Sequence, residues 1–589
     1  MTLSPLMAVR AELAARSLDG FVVPHADEYQ GEYVAPSSER LAWVTGFTGS
    51  AGTAVIMADQ AWLFVDGRYT IQAAQEVAGQ PIEVKHLSDK PMNDVLAESL
   101  PRGMRLGYDP WLHSPDQVGH LQKSCMKAGA ILVAVESNPV DAVWRDRPAL
   151  PSSAVVLHPV EFSGRSWAEK VADVVAKMDV DAVVLTDPSS VAWLLNIRGG
   201  DVPFTPLPLG RAILNRTGAV QVFMDLDKLS DAVKTGFPDT VVFKSPTELE
   251  GSLKALTECK VQVDGSQAPY ALMTLLEQAG AVVSKGIDPC VALRAQKNDV
   301  ELAGARAAHR RDGAALVQFL AWLETHLDTD ELMVADVSFT FRAQGQHFRD
   351  LSFPTIAGFG PNGAIVHYRS VPETNRQLEL GSFLLLDSGA QYLDGTTDIT
   401  RTIAIGEVGA EERRRYTQVL KGNIAVSRTV FPVGTTGSQL DVLARLALWS
   451  DGVDFDHGTG HGVGSYLSVH EGPQRISKVG NTVALKPGHI LSNEPGYYKA
   501  NHYGIRLENL LAVTEVHPPV GAERQMLGFE VLTVVPFDRS ALDVDLLTPV
   551  ELDWLNHYHA RVRAEIGPLV DGEAALWLEK ATRPIFAKL

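Results

Sequence analysis

Four carboxylates and one imidazole in the C-terminal half of the chain could do metal chemistry: Asp387, Asp398, His461, Glu494 and Glu508. One ion rarely needs four anionic ligands, whereas two divalent ions held about 3.5–4 Å apart do. If the five side chains converge, the chain is a dinuclear metallohydrolase. Oxygen donors with a single imidazole suit a hard cation, Mn2+ first, with Zn2+ or Co2+ tolerated. The lack of a thiolate ligand argues against a structural zinc site.

The segments around these residues say how they would be held. Phe383–Gly406 reads as two strands joined by a polar turn, with Asp387 ending the first apolar run and Asp398 opening the second. A carboxylate at the end of a buried strand is rigid, as metal binding requires. A turn aspartate would explain either one alone, and Asp394, directly before Gly395, is the better plain turn residue. Phe455–Gly472 carries His457, His461 and His470 among glycines at 458, 460, 462 and 464. Those glycines disfavour the helix of an HExxH zinc site and predict a loop that lets backbone approach a site closely. One such histidine is as readily a core or surface residue; three so near together are hard to assign to packing. Glu494 follows an apolar strand and precedes Pro495, while Glu508 reads as lying inside an apolar strand. A glutamate there is costly unless paired or metal-bound. Arg506, two residues earlier on the same strand face, offers it an ordinary ion pair. His367 follows a Gly-Pro-Asn-Gly turn and is unremarkable alone.

The chain has 589 residues, 45% apolar and 21% charged, which implies three or four domains rather than one core. A formal net charge of −19 argues against nucleic acid and anionic membranes as partners. Three scattered cysteines, Cys125, Cys259 and Cys290, fit reduced thiols in a cytoplasm. The sequence shows no signal peptide, and no run of 18 uncharged apolar residues that would span a membrane.

The first 300 residues read as two copies of one unit. Leu18–Pro24, Leu41–Ile56 and Ala61–Tyr69 are echoed by Val180–Pro188, Val191–Pro206 and Gly210–Met224. Helical patterns such as Ser166–Met178 alternate with these strands, which implies α/β units. A break is expected near Pro289–Ala295. A long helix capped by Asn298 or Asp299 follows, with Leu316, Phe319, Leu320 and Leu323 on its apolar face. A last helix should place Trp554, Leu555, Tyr558 and Val562 on one side. The expected division is 1–150, 151–295 and 296–589, in the α/β (α+β) class.

Taken in order, DSG…TTDITRT, HGTGHGVG, NEPGYY and GIRLEN resemble the pita-bread domain of metallopeptidase family M24. With WVTGFTGSAGTA, VDGRY, WLLNIRGGDVP and DLSFPTIAGFGPNGAIVHY, the whole chain is similar to the long, three-domain, cytosolic type of aminopeptidase P. That resemblance implies two creatinase-type N-terminal domains that shape access. It implies that Asp387 binds one metal, Asp398 and Glu508 bridge two, and His461 and Glu494 complete the second, with Arg506 beside them. His367, His457 and His470 match three substrate-facing histidines. Members usually use manganese and are commonly dimers. The implied reaction removes the first residue of peptides with proline second. In it a dimetal-held hydroxide attacks the first carbonyl, Glu494 passes the proton, and His457 or His470 helps stabilise the oxyanion. Proline's nitrogen carries no hydrogen, so the ring itself must be held, with His367 and His470 as plausible walls. The runner-up is prolidase, restricted to Xaa-Pro dipeptides; methionine aminopeptidase lacks such N-terminal domains. A metal-free binding protein or a creatinase-like enzyme would not need all five ligands.

Overall fold

The run GFVVP is buried at every position of β1 (Gly20–Pro24), as a strand must be when both faces of its sheet are covered. It belongs to a computed structural model that describes residues 4–518 and 520–586. The protein divides into two units, Met1–Pro159 with Arg165–Val291, and Val160–Gly164 with Ala292–Leu589.

The first unit contains two six-stranded sheets of one design. β1 is followed by β2 (Thr53–Met57), β3 (Ala61–Val65), β4 (Glu83–His86), β5 (Arg105–Tyr108) and β6 (Ile131–Ala134), in the spatial order β4-β3-β2-β1-β5-β6. Then come β7 (Ala182–Leu185), β8 (Arg211–Asn215), β9 (Val220–Phe223), β10 (Val241–Lys244), β11 (Lys260–Val263) and β12 (Val282–Lys285). Their order is β10-β9-β8-β7-β11-β12. The senses match as well: β1 runs antiparallel to β2 and parallel to β5, and β7 antiparallel to β8 and parallel to β11. This is the duplication expected from the repeated segments. The Trp-containing pieces are short helices, Arg40–Thr45 and Pro188–Leu195. The two units part between Val291 and Ala292, within the break expected near Pro289–Ala295, and a short helix spans those residues. Its interior holds no proline or glycine, so nothing stops a helix there.

The second unit opens with α1 (Asp299–Thr325), whose N-cap Asn298 accepts from the amides of Val300 and Glu301. Leu316, Phe319, Leu320 and Leu323 are buried on it against Leu384, Leu386 and Ile399. Further along lie α2 (Ala410–Ser427), α3 (Gly437–Trp449) and α4 (Pro549–Ile566). Leu555, Tyr558 and Val562 of α4 are buried, and Trp554 stacks on Tyr558 with centroids 5.4 Å apart. Among the described residues no helix is long and apolar enough to cross a membrane.

Two antiparallel sheets and a hairpin carry the candidate ligands. β13 (Ile356–Phe359), β14 (Ser382–Ser388) and β15 (Ile399–Ile405) form the first, with β14 central. The second uses β16 (Phe431–Pro432), β17 (Gly460–Gly462), β18 (Glu471–Ile476) and β19 (Ile490–Asn493). β20 (Gly496–Lys499) and β21 (Tyr503–Arg506) make the hairpin, and β22 (Asn509–Val516) and β23 (Met526–Val531) return to the second sheet. Its order is β16-β23-β22-β19-β17-β18.

Two local expectations change. His461 sits on a short strand, β17, rather than in a loop. The glycines exclude helix but allow close packing: a Cβ on Gly460 would lie 1.9 Å from the Ser492 carbonyl oxygen. Glu508 is not inside a strand. Leu507 and Glu508 form the crossing between β21, which pairs with β20, and β22, which pairs with β19 and β23.

Candidate active site

The candidate carboxylates sit at strand ends or at a crossing, and His461 in the middle of β17. Asp387 is the penultimate residue of β14 and lies opposite Thr400 of β15. Alternation along β15 sends Thr400 and Thr402 to one side and Ile399, Arg401 and Ile403 to the other. Asp398 immediately precedes this strand. Thr402 Oγ1 accepts from the Arg506 amide at 3.0 Å, and the Glu508 amide donates to the Thr400 carbonyl at 3.1 Å. These bonds tie the β21–β22 crossing to β15. Behind β15, Arg401 donates to the Glu508 carbonyl at 2.5 Å and to Asn509 Oδ1 at 2.8 Å. Glu494 lies one residue past β19, whose Leu491 pairs with Gly462 of β17.

These placements bring the five residues together. His461 Nε2 is 3.4 Å from Asp398 Oδ2 and 3.5 Å from Glu494 Oε1. Its Nδ1 lies 2.9 Å from the Gly462 carbonyl, which leaves Nε2 to face the carboxylates. Ligand atoms of Asp398, His461 and Glu508 all lie within 4.8 Å of one another. Thr400 Oγ1 donates to Glu508 Oε2 at 2.8 Å, and Ser492 Oγ to Glu494 Oε1 at 3.1 Å.

Burying so much negative charge shifts the titrations. Burial pushes Glu494 up to about 7, with Asp398 and Asp387 adding and His461 and Arg506 opposing. Burial, then Asp398, Glu494 and Asp387, holds Glu508 well above the usual carboxylate range. Asp387 is also raised by burial, against the pull of Arg506. Burial alone would lower His461, but its hydrogen bond to Asp398 and the charges of Glu494 and Asp398 raise it to about 9.

The donor set fits two divalent cations. Asp387 Oδ1 and Glu508 Oε1 are buried with no hydrogen-bond partner. A buried acceptor left so is costly unless something positive meets it. Among the described residues, Arg506 is the one arginine or lysine ion-paired to these four carboxylates, through Asp387.

Arg506 departs from its expected partner. Its Nη2 donates to Asp387 Oδ2 at 2.7 Å and its Nη1 to the Tyr498 hydroxyl at 2.7 Å, rather than pairing with Glu508. The crossing after Arg506 turns the Glu508 side chain to Thr400 instead. Replacing Arg506 by leucine should weaken metal affinity about 10–100-fold, the usual cost of losing a partner that orients a ligand. Titration against a chelator of known affinity checks this; unchanged affinity would show that Asp387 needs no such support.

The three histidines border the cluster. His470 meets the His461 ring edge-on, with centroids 4.3 Å apart. His367 follows Val366, whose carbonyl accepts from Arg506 Nη2 at 3.3 Å. His457 Nδ1 lies 2.8 Å from the Gly458 carbonyl and its Nε2 2.7 Å from the Tyr498 hydroxyl. Both of its nitrogens are therefore engaged. Asp394 lies in a turn, as expected, and its carboxylate pairs with Arg311. Sequence reasoning passed over Tyr498, Thr400 and Ser492. Tyr498 left a trace: a Cβ on Gly496 would lie 2.6 Å from its hydroxyl, so that glycine keeps room for the ring.

Duplicated α/β sheets ahead of a domain that gathers four carboxylates and an imidazole define a metallohydrolase of the pita-bread class. Family models match in that sense. Creatinase/Prolidase N-terminal domains match residues 6–142 and 146–301, metallopeptidase family M24 matches 303–515, and the C-terminal region of peptidase M24 matches 525–585. Aminopeptidase P1 of Lotus japonicus is 37% identical, the alignment covering 98% of this chain and 99% of that one. The crystal structure of X-prolyl aminopeptidase from Caenorhabditis elegans, described as a cytosolic enzyme with a di-nuclear active site, superposes with a TM-score of 0.94. It is 35% identical and covers 99% of this chain and 100% of that one. Xaa-Pro dipeptidase from Bacillus anthracis shares the fold over 63% of this chain, at 24% identity and a TM-score of 0.52. The chain belongs to metallopeptidase family M24, within the aminopeptidase P family.

Proposed function

We infer that the protein is a dinuclear Xaa-Pro aminopeptidase that removes the N-terminal residue from peptides with proline in second position. The observation that carries this is the cluster of buried Asp387, Asp398 and Glu508 with half-buried His461 and Glu494, two of whose carboxylate oxygens are left without partners. Asp387 is assigned to one cation, Asp398 and Glu508 to both, and His461 and Glu494 to the second. Oxygen-rich ligation favours Mn2+ over Zn2+ or Co2+. Two cations held there would lower the pKa of a shared water and polarise the scissile carbonyl.

The residues of the chain do the rest. Glu494 is assigned to take the proton of the attacking water and pass it to the departing proline nitrogen. His470 is assigned to the developing oxyanion, and with His367 to the walls around the proline ring. His457, engaged by Tyr498 and Gly458, is assigned to the edge of that pocket, where it orients the Tyr498–Arg506 pair.

The division 1–150, 151–295 and 296–589 belongs to this reading, supported by the family matches and by the two sheets of one strand order. A cytoplasmic location is supported by the description of the C. elegans relative as cytosolic. A homodimer is supported by a stripe on α3: Val442, Leu446 and Trp449 are 41%, 61% and 46% exposed. Leu446→Glu should halve the mass seen by sedimentation equilibrium; an unchanged mass would remove α3 from the interface.

The test is release of free arginine from Arg-Pro-Pro by purified protein, before and after chelation and with Mn2+ restored. Metal-dependent release supports the reading. Cleavage of Arg-Pro alone would make the protein a prolidase, and two bound metals without release from either would overturn both assignments.

A further inference from the structure

The strongest unassigned feature is a buried ion pair on the inner face of α3. Asp441 and Arg445 are one turn apart, and their side chains are 4% and 0% exposed. All five guanidinium donors of Arg445 are used, the most an arginine can offer. Nε donates to Asp441 Oδ2 at 2.7 Å, and Nη2 to Asp441 Oδ1 at 3.3 Å. Nη1 donates to Asp454 Oδ1 at 2.8 Å and to the Phe455 carbonyl at 2.5 Å. Nη2 also donates to the carbonyl of His457 at 2.9 Å. The guanidinium carbon lies over the Phe455 ring, 3.8 Å from its centroid.

The pair therefore grips the segment 454–459, which belongs to no strand. Its inward carbonyls have no sheet ladder to satisfy them, and buried backbone acceptors need partners. Asp441 continues the contact: Thr459 Oγ1 donates to Asp441 Oδ1 at 2.6 Å. The Thr459 carbonyl in turn accepts from the Glu494 amide at 2.8 Å. A path of named bonds thus runs from Arg445 through Asp441 and Thr459 to the backbone of Glu494, with a branch to His457.

We propose that Asp441 and Arg445 are positioning residues that set the 454–459 segment, and through Thr459 the seat of Glu494, for the reaction. This rests on the assignment of Glu494 made above. Fold stability alone does not call for charges here, because a buried ion pair can often be replaced by apolar side chains of similar volume without loss. What apolar side chains cannot do is tie the 454–457 segment to α3 by a planar fork of fixed directions.

The test uses full-length protein carrying Arg445→Lys, Thr459→Val, or the apolar pair Asp441→Leu/Arg445→Met. Thr459→Val removes one hydroxyl and leaves the ion pair intact. Each variant is read three ways: unfolding midpoint, kcat and KM on Arg-Pro-Pro, and the visible spectrum on titration with Co2+. The proposal expects Arg445→Lys and Thr459→Val to lower kcat about 10–100-fold, the range for residues that orient metal ligands. It expects little change in KM, and a shifted Co2+ spectrum at two ions per chain. It expects the apolar pair to keep its midpoint without recovering kcat. Variants with the wild-type kcat and Co2+ spectrum would overturn it, as would an apolar pair that restores both. The spectrum needs no substrate. A wild type that binds two Co2+ yet releases no arginine therefore sinks the aminopeptidase assignment, while the spectral comparison still decides the positioning.

Discussion

Glu494→Gln is expected to lower kcat for Arg-Pro-Pro by about 10³-fold, within the range for loss of a general acid–base group. Glutamine keeps the shape of the side chain and can still accept from Ser492 Oγ, which meets Oε1 at 3.1 Å. It keeps the amide bond to Thr459 too, since that is backbone. What it removes is the carboxylate that can hold the proton in transit. A carboxylate can take a proton from water and return it to a leaving nitrogen. An amide can do neither. Excess Mn2+ should therefore fail to restore activity, even where it restores two metals per chain. Stopped assays of arginine release, with metal content measured on the same samples, check this. A variant within tenfold of wild type would move the proton transfer to another residue.

The residues that converge were legible because their chemistry conflicts with their surroundings. Asp387 ends a run of Phe and Leu, and Glu508 stands amid Leu507 and Leu510. A carboxylate in such a place needs a cation or a proton. The duplicated sheets were legible for a related reason: a valine-rich strand buried on both faces repeats with its neighbours in the same order. The partners were not legible. Arg506 stands two residues from Glu508, yet its guanidinium meets Asp387, 119 residues away. That choice depends on the chain changing sheets at Leu507–Glu508, and crossings have no signature in hydrophobic periodicity. Arg445 was hidden differently. Asp441 and Arg445 have the spacing of an ordinary solvent-facing helix pair. Only the packing of α3 shows that the pair faces inward onto the His457 segment.

Without cations, the protein should lose stability as pH rises from about 6.5 to 9, the reverse of ordinary acid unfolding. In the fold Glu494 titrates near 7, against a usual value of 4.5. The folded state therefore binds more protons than the unfolded chain between those values. Stability from this group is complete below about pH 4.5 and lost as pH passes 7, because stability falls with pH wherever the fold holds the extra protons. His461, raised from 6.5 to about 9, acts with the same sign: its contribution is full below 6.5 and gone above 9. Asp387 and Glu508, both raised, add in the same direction. Histidines that burial holds below their usual 6.5, such as His113, His489 and His559, and carboxylates such as Asp451, lowered by Arg414 and Gln418, act with the opposite sign only at more acid pH, which is why the window begins near 6.5. Cations reverse the trend by replacing the protons on these ligands. At a hundredfold excess over its Kd, a bound ligand adds about 2.7 kcal/mol. Because affinity rises as the ligands deprotonate, the gain in unfolding temperature on adding a fixed Mn2+ concentration should grow with pH. Thermal melts in chelator and in Mn2+, at intervals from about pH 6.5 to 9, measure both slopes. Glu494→Gln should flatten the chelator curve below pH 7 and leave the fall towards pH 9. A chelated wild type whose melting temperature is level or rising over that window would mean that the five side chains are not packed together in the cation-free protein.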